Sequence, residues 1–180
     1  LDRGEHHTLQ AECDFEVEAS NPIFIGQFIS GQGATGIAAD LPGGDPSFLI
    51  LSPKEQWRDR YVFLTPDKYA FDFMMVLAPA GTELTFDQGP MPESCEVQRA
   101  ECEGLPDSTT LMDIWRCQLS FPEILPGLPP PDNIDPGNQN DGYHILEASE
   151  PVALVVYGFD KHVSYAYVGG TDVKQIYDVD

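Results

Sequence analysis

The sequence predicts an all-β domain, a β-sandwich-like arrangement of about ten short strands. Three observations carry this. Apolar and polar residues alternate with a period of two in several segments. Sixteen glycines and sixteen prolines cut the chain into short pieces. No segment shows the period of an amphipathic helix of normal length. With 180 residues, 42% of them hydrophobic, there is material for one core and not comfortably for two. A single domain over residues 1–180 is expected, with residues 1–12 a frayed terminus. Leu1 in place of Met marks a mature form or a piece of something larger.

The elements follow in order. Cys13 to Ala19 alternates Phe15, Val17 and Ala19 with Glu16 and Glu18, the pattern of a half-buried strand. After Asn21-Pro22, the run Ile23 to Ile29 is apolar on both faces and reads as a central strand. A Gly-rich stretch ends in the turn Pro42-Gly43-Gly44-Asp45-Pro46. Ser47–Leu51 and Tyr61–Leu64 read as strands around Pro53–Trp57, which suits one helical turn. Phe71–Ala78 is almost wholly apolar, and Thr82–Asp87 returns to alternation before the turn Asp87-Gln88-Gly89. The last third predicts strands at Tyr143–Ala148, Val152–Tyr157, His162–Val168 and Val173–Tyr177.

Residues 90–142 differ in character. They hold three of the four cysteines and Pro129-Pro130-Pro131, and only Ile114–Phe121 looks like a strand. The stretch reads as a long, Pro-rich insertion held by a disulfide. Four cysteines without a CxxC pair, and with no His near them, fit two disulfides of an oxidising compartment better than a zinc site. The expected pairing is Cys95–Cys117, stapling the base of the insertion, with Cys13–Cys102. Cys95–Cys102 with Cys13–Cys117 is the alternative.

Nine basic residues stand against thirty acidic ones, a formal net charge of -21. Such a chain repels phosphate backbones and anionic headgroups, which argues against nucleic acid as a partner. No apolar run approaches the length of a membrane span, so membrane insertion is not expected.

Candidate chemistry is sparse. Ser164 and His162 would share one face of a strand, a nucleophile and base for a serine hydrolase. They lack the Gly-x-Ser-x-Gly elbow and an orienting acid. No phosphate-cradling loop precedes a helix, and no cofactor is expected. The segment from Asp132 to Gly142 offers hard oxygen ligands for Ca²⁺ in Asp132, Asp135, Asn140 and Asp141, although Pro136 interrupts it and the spacing is not that of an EF-hand. Trp57, Tyr69, Tyr165 and Tyr167, with Tyr143 and Tyr157, could offer a flat surface to a protein or glycan partner. Aromatic residues at strand spacing more often fill a core.

An ordered series of phrases remains. It comprises Asn21-Pro22-Ile23, Gln27-Phe28, Gly44-Asp45-Pro46-Ser47 and Pro53-Lys54-Glu55-Gln56, then Tyr61-Val62-Phe63-Leu64-Thr65-Pro66 with Tyr69, then Val155-Val156-Tyr157-Gly158 and Val163-Ser164-Tyr165-Ala166-Tyr167 with Gly169-Gly170. From about Phe15 to Ile176 this series resembles the N-terminal domain family of IgGFc-binding proteins, in its bacterial branch. The resemblance implies a non-enzymatic binding or adhesion module, secreted or displayed on the cell surface, alongside other domains of a larger parent chain. A structural spacer without a ligand of its own is the alternative. Antibody binding is not implied for this chain.

Overall fold

A strand of nineteen residues, Gly142–Asp160, organises the computed structural model, which describes residues 1–11, 13–35, 38–39, 41–67, 69–100, 111–129 and 134–173. Among the described residues the elements are β1 (Gly26–Ile29), α1 (Gln32–Thr35), β2 (Ser47–Ile50), a 3-10 turn (Lys54–Gln56), β3 (Arg58–Thr65), β4 (Phe71–Pro79), β5 (Leu84–Phe86), β6 (Cys95–Arg99), β7 (Met112–Ile124), β8 (Ile134–Asn138), β9 (Gly142–Asp160) and β10 (Val163–Val168). The fold is all-β, as predicted: eight strands form one curled sheet, and β1 pairs with β2 in a separate ribbon.

The N-terminal half of β9 lies between β3 and β5, and its C-terminal half lies between β4 and β10. The two halves are where the sequence predicts two strands, Tyr143–Ala148 and Val152–Tyr157. They form one strand whose ladder with β3 jumps between Arg60↔Glu147 and Arg58↔Val152. Residues 148–151, which include Pro151, thus drop out of that ladder, and a bulge of this kind bends a strand and lets it serve two sheet faces.

The core lies between those faces and follows from parity. Along β4 every second residue is buried, which sends Met74, Val76 and Ala78 inward, where they meet Leu146 and Leu154 of β9 and Phe63 of β3. Full burial of Met74, Leu146 and Leu154 contributes about 1.5–3 kcal/mol each. Two tyrosine hydroxyls close polar gaps. Tyr61 donates to the Val152 carbonyl and accepts from Arg58 N–H at 3.0 Å. Tyr167 donates to the Leu64 carbonyl and accepts from Leu64 N–H at 2.9 Å, so β3 does not leave that peptide open to another strand.

Several expectations change. Cys13–Ala19 is not a strand, because no edge pairs with it: alternation describes a face, and a strand also needs a neighbour. The predicted central strand Ile23–Ile29 shrinks to β1, which among the described residues pairs only with β2 and is largely exposed. Residues 90–142 contain β6, β7 and β8, and β7 sits between β4 and β6 with Ile114, Cys117 and Leu119 buried. Much of this stretch is therefore sheet: β7 extends the expected strand Ile114–Phe121 at both ends, and β6 and β8 are added to it. A disulfide joins Cys95 to Cys117, which are register partners on β6 and β7 with Cα atoms 3.9 Å apart. No described cysteine is free. Cys102, and with it the Cys13–Cys102 pairing, lies outside the described residues, as does most of Val173–Tyr177.

Candidate functional site

The chain's polar machinery lies inside the sheet. A row of register partners crosses four strands: Tyr165 on β10, Gly158 on β9, Asp72 on β4 and Ser120 on β7. Asp72 has the parity of Met74 and Val76 and is fully buried, so the fold must satisfy a carboxyl group in its core. Tyr165 donates its hydroxyl to Asp72 Oδ1. Gly158 makes that bond reachable, because a Cβ there would collide with the Tyr165 ring and stand 2.8 Å from Asp72 Oδ1.

From Ser120 the network continues. Its hydroxyl accepts from Asn140 N–H at 3.0 Å. The Asn140 carbonyl takes the Thr65 hydroxyl proton at 2.7 Å and lies 3.0 Å from His144 Nε2. His144 Nδ1 stands 2.8 Å from Asp87 Oδ2, and Asp87 Oδ1 accepts from Ile145 N–H. The His144 ring lies between Phe63 and Phe86, at centroid distances of 5.3 and 4.9 Å.

Thr65, His144 and Asp87 reproduce the outline of a hydroxyl–imidazole–carboxylate relay, with Thr65 Oγ1 3.0 Å from His144 Nε2. Its chemistry is closed off. Thr65 and His144 are buried, and the hydroxyl proton is already given to a backbone carbonyl. The arrangement ties the end of β3 to the start of β9 and the turn after β5. Residues this far apart in sequence carry no local signal.

Burial, the largest cause, raises the Asp72 pKa; the Tyr165 and Ser120 hydroxyls oppose it, Asp141 adds to it, and His144 opposes it. Tyr165 is pushed far up by burial and then by its bond to Asp72. An acid whose folded pKa lies above its unfolded value favours folding fully below the unfolded value, and that contribution is lost as pH rises through the folded value. Asp72→Asn, which imitates the protonated acid, is therefore expected to gain stability relative to the parent between pH 4 and pH 7. Urea denaturation at both pH values measures this. A gap between the two proteins that does not change with pH would refute the assignment.

The residues singled out in the sequence are dispersed or already engaged. Trp57 is half-buried and donates to the Ser52 carbonyl at 3.2 Å. Tyr69 packs edge-on against Tyr165 at 4.9 Å, and Tyr165 and Tyr167 stack with their hydroxyls committed. Tyr157 stacks on Phe73, while Tyr143 is exposed. Of the calcium candidates, Asp135 is exposed on β8, the Asn140 backbone belongs to the network, and Asp141 acts on Asp72. Asp132 lies outside the described residues. Among the described residues no group of three or more His, Cys, Asp or Glu could hold a metal ion.

The Ser164–His162 arrangement is corrected. His162 sits at φ +60 in the exposed turn between β9 and β10, and Ser164 Oγ has no hydrogen-bond partner among the described residues. The Ser164 hydroxyl packs over Gly44, which has no Cβ to obstruct it. A tight turn took the position that alternation had assigned to a strand.

Two groups of large apolar side chains are open to solvent. Val62 and Leu64 on β3 stand opposite Ile145 and Tyr143 on β9, outside the sheet and beside the Arg60–Glu147 ion pair. A second exposed group, Phe24, Phe28, Phe48 and Ile50, belongs to β1, β2 and the residues leading into them. Among the described residues, no helix is long and apolar enough to cross a membrane.

A family model described as "IgGFc binding protein" matches residues 1–158. The match covers β1 to most of β9 and ends before the β10 phrase Val163–Tyr167. No curated protein and no solved structure matches the chain.

Proposed function

This chain belongs to the IgGFc binding protein family, and from that premise we propose that it is a protein-binding module of an extracytoplasmic, adhesive protein. The observation that carries the reading is the location of its large apolar side chains. Two groups of them face solvent, while Thr65 and His144, the hydroxyl and imidazole of the relay, are buried and hydrogen-bonded. Exposed apolar surface of this kind supports docking to another protein. The Cys95–Cys117 disulfide is compatible with an oxidising place of action.

The first probe is a purified immunoglobulin Fc fragment, since the family's description names it. Titration onto the immobilised domain at physiological salt, with and without calcium, is expected to saturate in the micromolar range or tighter, at about -8 kcal/mol. A flat response in both conditions removes Fc as a partner. If the peptide probe described below also fails, the binding reading falls and a spacer role takes its place.

A further inference from the structure

The ribbon formed by β1 and β2 presents two unlike faces. On its inner side Leu49 is buried and Ile29 half-buried, and an open groove lined also by Gln27 and Phe28 runs between the ribbon and Met75, Val155 and Tyr157 of the sheet. The outer face is apolar. Gly26 and Phe28 share it by the two-residue period, β2 sets Phe48 opposite Phe28 and Ile50 opposite Gly26, and Phe24 lies exposed just before β1. Phe24 is 92% exposed, Phe28 74% and Phe48 53%.

These three rings leave on the order of 400 Å² of aromatic surface in water. That already equals the largest apolar patch of a typical monomer, before Ile50 is added. The surface is also ordered in advance. The Phe48 ring lies over Gly26, where a Cβ would stand 2.6 Å from its Cζ, and Phe28 holds the same ring at 4.9 Å. Fixed aromatic side chains lose little entropy on docking.

Charge identifies the occupant. Residues 19–53 contain only two charged side chains, Asp40 and Asp45, in a chain whose net charge is -21. The ribbon is thus an uncharged stretch of a chain whose overall charge is strongly negative, the composition of an interface centre on a molecule that attracts cations. A second copy would bring the same negative charge, and an anionic lipid surface would be repelled.

We propose that the outer face of the ribbon is the docking surface for a cationic protein segment that carries alternating apolar side chains. The segment lays those side chains on Phe24, Phe28 and Phe48 and keeps its basic groups in the field around them. This names the surface and partner chemistry of the binding module and rests on that reading.

The test uses a synthetic peptide alternating lysine and valine, its glutamate–valine counterpart, and the Fc fragment, each titrated onto the whole chain. The lysine peptide is expected to bind, more weakly as salt rises, and the glutamate peptide is not. Phe28→Ser with Phe48→Ser is expected to weaken lysine-peptide binding by about tenfold or more, at an unchanged melting temperature. Tyr143→Ser, on the other exposed face, is expected to leave it unchanged. Equal binding by the double variant and the parent overturns the proposal. So does a concentration-dependent dimer of the parent that the double variant dissolves, because the occupant would then be a second copy. Loss of binding through Tyr143→Ser alone overturns the ribbon and keeps the binding reading. Failure of all three probes overturns both.

Discussion

Gly158→Ala is expected to lose about 3 kcal/mol of folding stability, although it adds one methyl group. The new Cβ would meet the Tyr165 ring, the Phe71 carbonyl at 2.6 Å and the Asp72 carboxyl at 2.8 Å. The carbonyl belongs to the β4 ladder and cannot move without breaking it. The ring could move only by releasing its hydroxyl from Asp72, which would leave a buried carboxyl short of a donor. Gly33→Ala provides the control, since nothing among the described residues lies within 4 Å of its Cβ position. It should change stability by less than about 1 kcal/mol, in the stabilising direction for a helical site. Urea midpoints for the two variants decide the matter, and equal losses would show that Gly158 is not the packing point described.

Removing the disulfide by Cys95→Ala with Cys117→Ala is expected to cost about 3 kcal/mol, or a fall in melting temperature of roughly 10 °C. The bond closes a loop with a sequence separation of 22, and losing it enlarges the unfolded ensemble. Cys117 is also fully buried, so truncation leaves a small cavity in the core. Because the bond links register partners, the β6–β7 ladder should survive, and far-ultraviolet circular dichroism should keep its β signature. A double variant that melts with the parent would show that the β6–β7 ladder holds this region without the crosslink.

The fold class was legible because burial here obeys parity. The run Phe71–Ala78 announced β4, and the single charge inside it, Asp72, was the visible sign of a buried polar row. The same alternation puts Tyr165 and Tyr167 on one face of β10, yet does not reveal that their hydroxyls reach Asp72 and Leu64. Cys13–Ala19 carries a strand's pattern without a strand's neighbour, and only tertiary structure supplies neighbours. Thr65, Asp87 and His144 meet through chain reversals that leave no mark on their own segments. The exposed ribbon escaped notice for the opposite reason. Its two-sided apolar pattern reads as a core strand, and one of its two sides has no cover among the described residues.

The position of β9 sets the order in which this molecule can be made. Among the described residues the large-sheet pairings of β3 and β5 are with β9 alone, and β4 has it on one side, so strands completed by residue 86 wait for residues 142–160. A chain emerging from its N-terminus therefore carries unpaired apolar strands until β9 follows. Contacts this distant in sequence close slowly, and the wait exposes edges to aggregation. Folding should be limited by the arrival of β9, so variants that loosen its bend should slow refolding more than they speed unfolding.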